Sequence, residues 1–349
     1  MGQLEHYCIG KIDLNAENRW TILNGKKFRI EKPTVICCGG NKTLNAKGAH
    51  YMCSLAQNLI GVKGRIDPHE IASIDDIDFV GIGYGANKQI GDDLSPSNIG
   101  YLVEEEIAEL AKSLFAPLYL DGNQIRPQEQ IVKNFSLITF FSHCYGSKEV
   151  NDITYQAYKD MLIAGVEKQI AEEAFSQVFV VSYAPWQSTI CPSLQVIPEK
   201  DSVLLGGPTR ASVTTDFLRN RHIYPGKGTV AYKENANTVT VFVSDMTNHS
   251  EDEHGIAVVR RNKQWQFLDA DVAYGNEVSM AMAVGLSESI KAGILNQRNV
   301  EFTPKPTVDD ILRKVQSILG KTQNHELERA IEQIKNPAAD ELGDFVREV

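Results

Sequence analysis

In the first half of the chain the hydrophobic positions fall into short continuous blocks. Thr34 to Cys38, Ile77 to Gly83, Ser136 to Phe141 and Val178 to Val181 are apolar on nearly successive residues and rich in β-branched or aromatic side chains. Such runs suit strands buried on both faces, which is the condition of a parallel sheet. Between the blocks the period becomes helical. Residues 48–59 read as a helix. In 100–115, Val103, Ile107, Leu110 and Leu114 share one face, and Glu104, Glu105 and Glu109 lie off it. A helix is also expected after the third block, with Asn151 or Asp152 as its cap and Tyr155, Tyr158, Leu162 and Val166 inward. Apolar strands alternating with helices predict an α/β fold: a mostly parallel central sheet, helices on both faces, three layers.

Around this core the punctuation differs. Asn24-Gly25 predicts the turn of a hairpin over 18–31, since both residues tolerate positive φ. Residues 87–99 are polar and read as a loop. Residues 186–228 carry Pro192, Pro198 and Gly206-Gly207-Pro208 and read as loop-rich. Further hairpins fit 229–244 and 255–268, and a helix fits 276–293. Pro304 and Pro306 mark a linker. Thr307, with Asp310 three positions on, has the form of a capping box, and a last helix fits 325–335. The expected division is an α/β domain over 1–300 with extra hairpins, and a C-terminal helical extension over 301–349.

Composition removes some function classes. A formal net charge of -10, with only short basic stretches, speaks against a nucleic-acid partner. No continuous apolar run reaches the ~20 residues of a membrane helix, and residues 1–14 lack the form of a secretory signal. A cytoplasmic chain is the expectation, with export by other signals left open. The six cysteines form no C-x-x-C pair or Cys/His cluster, so no metal site and no cofactor is expected. Gly81-x-Gly83-x-Gly85 has the wrong spacing for a dinucleotide loop.

One segment carries candidate chemistry. The third apolar block runs into Ser142-His143-Cys144-Tyr145-Gly146 and then a helix. A nucleophile on a sharp strand-to-helix turn needs small residues two positions before and after it, and Ser142 and Gly146 meet that need. The helix N-terminus favours a thiolate and an oxyanion. Here the chain resembles the α/β-hydrolase superfamily, in particular its cysteine-nucleophile members with a G-x-C-x-G elbow, such as dienelactone hydrolase. Ser142 replaces the first glycine. The resemblance extends over residues 18–185 in element order. It implies an oxyanion donor after the first parallel strand, where Gly39-Gly40-Asn41 stands without the histidine of HGGG-type loops. It also implies an acid and then a histidine downstream. Asp245 suits the acid and His254 the base, although only nine positions separate them. Gly40, Asn41 and Tyr145 would line the oxyanion site. The implied function is hydrolysis or acyl transfer on a small-molecule or acylated substrate, with a protein partner left open.

Other arrangements compete. His254 and Asp269 resemble the histidine–acid half of papain-like cysteine proteases, with Cys53 as nucleophile, but the flanking glycine and tryptophan signature is missing. A caspase-like reading would use Ser142-His143 as its histidine element and needs a cysteine at the end of the next strand, where Ser182-Tyr183-Ala184 stands. A non-catalytic binding protein on a hydrolase-like scaffold is the remaining alternative. His143, next to Cys144, is expected to point away from it as a packing residue.

Overall fold

Each expected buried block forms a strand. A computed structural model describes residues 7–11, 21–23, 29–40, 46–62, 76–84, 102, 104–198, 229–243, 258–261, 264–267, 276–298 and 301–319. Among the described residues nine strands form one sheet: β1 (Tyr7–Lys11), β2 (Thr21–Leu23), β3 (Thr34–Cys38), β4 (Asp78–Tyr84), β7 (Ile138–His143), β8 (Phe179–Tyr183), β9 (Ser193–Pro198), β10 (Thr229–Asn235) and β11 (Thr238–Val243). Their order is β10-β11-β9-β8-β7-β3-β4-β1-β2. The run from β11 to β4 is parallel throughout, and β10 and β1 join its two sides antiparallel. Two small hairpins stand apart, β5 (Leu120–Asp121) with β6 (Gln124–Ile125), and β12 (Val258–Arg261) with β13 (Gln264–Phe267).

Helices cover both faces. The alternation along each strand divides the core into two clusters, as the pleat requires. Val35, Cys37, Phe141 and Val181 pack with α1 (Ala46–Val62), α6 (Asn276–Arg298) and α7 (Val308–Leu319). Ile36, Ile138, Phe140 and Val180 pack with α2 (Glu104–Tyr119), α3 (Gln128–Phe135), α4 (Gly146–Ile163) and α5 (Lys168–Ser176). The three-layer α/β arrangement is therefore present. Over Val278–Arg298, helix α6 is long and apolar enough to cross a membrane, but 83% of its most apolar stretch is buried inside the fold.

Several local expectations change. Thr21–Leu23 pairs with Tyr7–Lys11 and residues 29–33 are not strand, while the expected turn at Asn24-Gly25 lies outside the described residues. The Tyr-Cys-Ile-Gly-Lys run is short and broken by glycine, so it carries little strand signal. Helix α4 begins at Gly146, and Asn151 and Asp152 lie inside it. Lys148 pairs with Asp152 one turn on, which makes the aspartate a helix-surface partner instead of a cap. The loop-rich reading of 186–228 misses β9, whose residues pair in parallel with both β8 and β11. Helix α5 and the β5–β6 hairpin were not expected at all. The final helix proposed over 325–335 and the loop 87–99 lie outside the described residues.

The segment 301–319 is built into the core. Val308, Ile311 and Val315 of α7 are buried against the sheet. Thr307 and Asp310 form the expected capping box, with the Asp310 amide donating to Thr307 Oγ1 at 3.2 Å and the Thr307 amide donating to Asp310 Oδ2 at 3.0 Å. Lys305 is buried at the start of β7, where its ammonium donates to the Ile138 carbonyl and to Thr139 Oγ1. Burial holds its pKa well below the usual lysine value.

The α1–sheet contact depends on glycine. A Cβ on Gly81 of β4 would stand 2.7 Å from the Ala49 carbonyl oxygen of α1, a backbone atom that cannot swing aside. Gly81→Ala is expected to lower stability by about 1–3 kcal/mol, the usual cost of overpacking. Urea denaturation of the variant beside the parent checks this.

Candidate functional site

Cys144 follows the last residue of β7, at the carboxyl edge of the parallel sheet, where α/β folds place their ligands. Its φ is +49°, in the left-handed region that a residue with a Cβ adopts only at a cost of roughly 1–2 kcal/mol. Neighbouring chain holds it there. The Cys144 amide donates to the Tyr183 carbonyl at 3.0 Å, and the Trp186 amide donates to the Cys144 carbonyl at 3.1 Å. The Ser147 hydroxyl donates to the same carbonyl at 2.8 Å and accepts the amides of Trp186 and Gln187 at 2.8 and 3.0 Å. Ser147 thereby ties the turn, the first turn of α4 and the strand-end loop after β8 into one unit. Ala184, at the end of β8, shares the left-handed conformation with φ +44°.

Two glycines set how closely the parts approach. A Cβ on Gly146 would stand 2.7 Å from the Cys38 carbonyl carbon and 2.8 Å from the Gly39 oxygen. Any side chain there would push α4 off the end of β3. A Cβ on Gly40 would stand 2.7 Å from the Cys144 Cβ and 3.0 Å from His143 Nδ1. The loop after β3 therefore lies directly on the turn. Ser142, which replaces a glycine of the expected pattern, is fully buried and shares a hydrogen bond of 2.7 Å with Ser182 on the adjacent strand.

The sequence-derived candidates separate into two groups. Cys144, Tyr145 and Gly40 come together at the start of α4. Cys144 is 4% exposed. The Tyr145 ring lies 6.1 Å from that of Trp186, with the Lys148 ammonium 5.5 Å above it. Asn41, Asp245, His254 and Asp269 lie outside the described residues. Cys53 falls in the interior of α1, fully buried against Cys37, and not at a helix start as a papain-like nucleophile would. Burial, followed by the hydrogen bond from Cys53, raises the Cys37 thiol well above its ordinary value. At the position where a caspase-like reading needs its cysteine, the fold presents the Ala184 methyl. Among the described residues no group of His, Cys, Asp or Glu could hold a metal ion.

His143 is buried as a packing residue. Its imidazole is buried beside Tyr183, with ring centroids 6.0 Å apart, and it abuts Gly40 on the same spot as the Cys144 Cβ.

Glu149 was not legible as a site residue. It sits in the first turn of α4, fully buried, and neither carboxylate oxygen makes a well-formed hydrogen bond to a described residue, although the Leu102 backbone lies close enough to favour its charged form. Burial pushes its pKa up to about 7, with Lys148 pulling it down and Asp152 pushing it further up. An unfolded chain releases this proton near 4.5. Stability linked to Glu149 is thus complete below that pH, falls as the unfolded state ionises first, and is lost once pH passes about 7. The loss amounts to about 3 kcal/mol at most. Glu149→Gln is expected to flatten the stability–pH profile by that amount over this window, read from denaturation midpoints at successive pH values.

Compared with known proteins, the chain matches no family model and no curated sequence, so the site is read from its own geometry.

Proposed function

We propose that the chain is a hydrolase or acyltransferase that attacks an ester, thioester or amide through Cys144. The observation that carries this reading is the left-handed backbone of Cys144 at the junction of a parallel strand and a helix. Strain of this kind recurs where a reactive side chain must be presented. Ala184 adopts the same conformation without chemistry to present, so the angle alone is not sufficient. Cys144 adds the N-terminus of α4, whose partial positive charge favours a thiolate, and the Gly40 loop packed on its Cβ.

In this reading the thiolate adds to the acyl carbon and the carbonyl oxygen becomes an oxyanion. Backbone N–H groups at Tyr145 and in the Gly40-Asn41 loop would receive that charge. Proton transfer to the leaving group releases it and leaves a thioester on Cys144. Water or another acceptor then takes the acyl group. Sequence order nominates His254 as base and Asp245 as its orienter. The resemblance to cysteine-type α/β-hydrolases fits the parallel core and the turn. The outer hairpin has β1, not β2, against β4.

The competing reading is a binding protein on the same scaffold, and the low exposure of Cys144 favours it. Intact-mass analysis after incubation with small activated acyl esters and thioesters separates the two. Acylation confined to Cys144, and absent in Cys144→Ala, is the expected result. A folded protein that takes no acyl group at Cys144, and no small alkylating agent either, would establish the binding reading.

A further inference from the structure

We infer that His143, the residue before the nucleophile, is the base that takes the Cys144 proton. This rests on the reading of Cys144 as a nucleophile, and it replaces His254 in that role. The ground is geometric. His143 Nδ1 and the Cys144 Cβ both lie within 3.0 Å of the single point where a Gly40 Cβ would stand. The imidazole edge and the Cys144 Cβ, which carries the thiol, are therefore close neighbours around an atom that glycine lacks. His143 Cε1 lies 3.1 Å from the same point, so the ring edge carrying Nδ1 faces this gap.

The position of the imidazole is fixed from the other side. His143 and Tyr183 are register partners on adjacent parallel strands, and their rings lie side by side. The Tyr183 carbonyl holds the Cys144 amide. One residue of β8 thus orients both members of the pair. His143 is 6% exposed and Cys144 4%, so the pair is largely shielded from water, which strengthens its electrostatic coupling.

The chemistry balances within the pair. The Sγ proton passes to an imidazole nitrogen and leaves thiolate and imidazolium. Thiolate attack forms the carbon–sulfur bond. Imidazolium returns its proton to the leaving group as the carbon–heteroatom bond breaks. In the second half the neutral imidazole takes a proton from the incoming water or acceptor and gives it to the departing sulfur. Gly40 acts as a spacer: a methyl there would occupy the space between base and nucleophile.

The test uses the full chain at neutral pH. Ultraviolet difference absorbance against Cys144→Ser is expected to show a thiolate in the parent. The rate of Cys144 alkylation by iodoacetamide, followed by peptide mass spectrometry, is expected to fall at least ~10-fold in His143→Gln. If Cys144 alkylates equally fast in a folded His143→Gln, the inference is overturned and the nucleophile reading stands. Should His143→Gln not fold, the parent spectrum decides: no thiolate signal at neutral pH overturns the pair. Failure of Cys144 to react at all in the folded parent removes both readings together.

Discussion

The approach of the α4 N-terminus to the end of β3 is the constraint on which the site depends. With no side chain at Gly146, the first turn of the helix rests on the Cys38 and Gly39 backbone. That contact shortens the path from β7 into α4 to a two-residue turn. A turn this tight forces one residue into the left-handed region, and Cys144 is that residue. Its conformational cost is offset by hydrogen bonds to Tyr183, Trp186 and Ser147, which reach it from the neighbouring strand and helix. Local sequence alone would not hold this geometry. It needs β8 alongside, and Ser147 to bridge.

Polar groups are buried at both ends of the sheet, with different consequences. At the amino end, Lys305 donates to Ile138 and Thr139, and Asn296 donates to Ser136 and Thr303. These bonds lock the C-terminal segment beneath β7. At the carboxyl end the Ser142–Ser182 pair is satisfied in the same way, while the Glu149 carboxyl makes no well-formed hydrogen bond among the described residues. A buried carboxyl so poorly bonded is tolerated by holding its proton up to about pH 7, as its raised pKa implies. The two ends therefore differ in kind. One end is a closed hydrogen-bond lock, and the other holds a buried acid of raised pKa and a strained cysteine within a few residues of each other.

What could be read from the sequence follows the strength of each local signal. β3 was legible to the residue, because five successive buried side chains admit no competing period. The capping box at Thr307 was legible because its chemistry is local. The pairing of β1 with β2 was not: a glycine-broken run of five residues gains its strand state from β4 alongside. β9 was hidden for a similar reason. Its alternating Ser-Leu-Gln-Val-Ile sits between two prolines, and only the parallel neighbours β8 and β11 make it a strand. At the site, the small residues around Cys144 were visible as a pattern. The roles of Ser147, Tyr183 and Glu149 were not, since each depends on contacts across elements far apart in the chain.

The two strand ends, β7 and β8, bear on what kind of site this is. Both finish in a left-handed residue, and the two are tied through the Tyr183 carbonyl and the Trp186 amide. If the conformation served packing alone, glycine would satisfy it at lower cost at either place. Alanine at 184 bears that cost with a methyl, so strain at one strand end has a purely structural precedent in this fold. At 144 the same cost is borne by a cysteine, with a buried histidine before it in sequence, a helix N-terminus beyond it and Gly40 packed on its Cβ. Structure explains the turn. A cysteine and a histidine enclosed at its apex are what the proposed thiol chemistry would use.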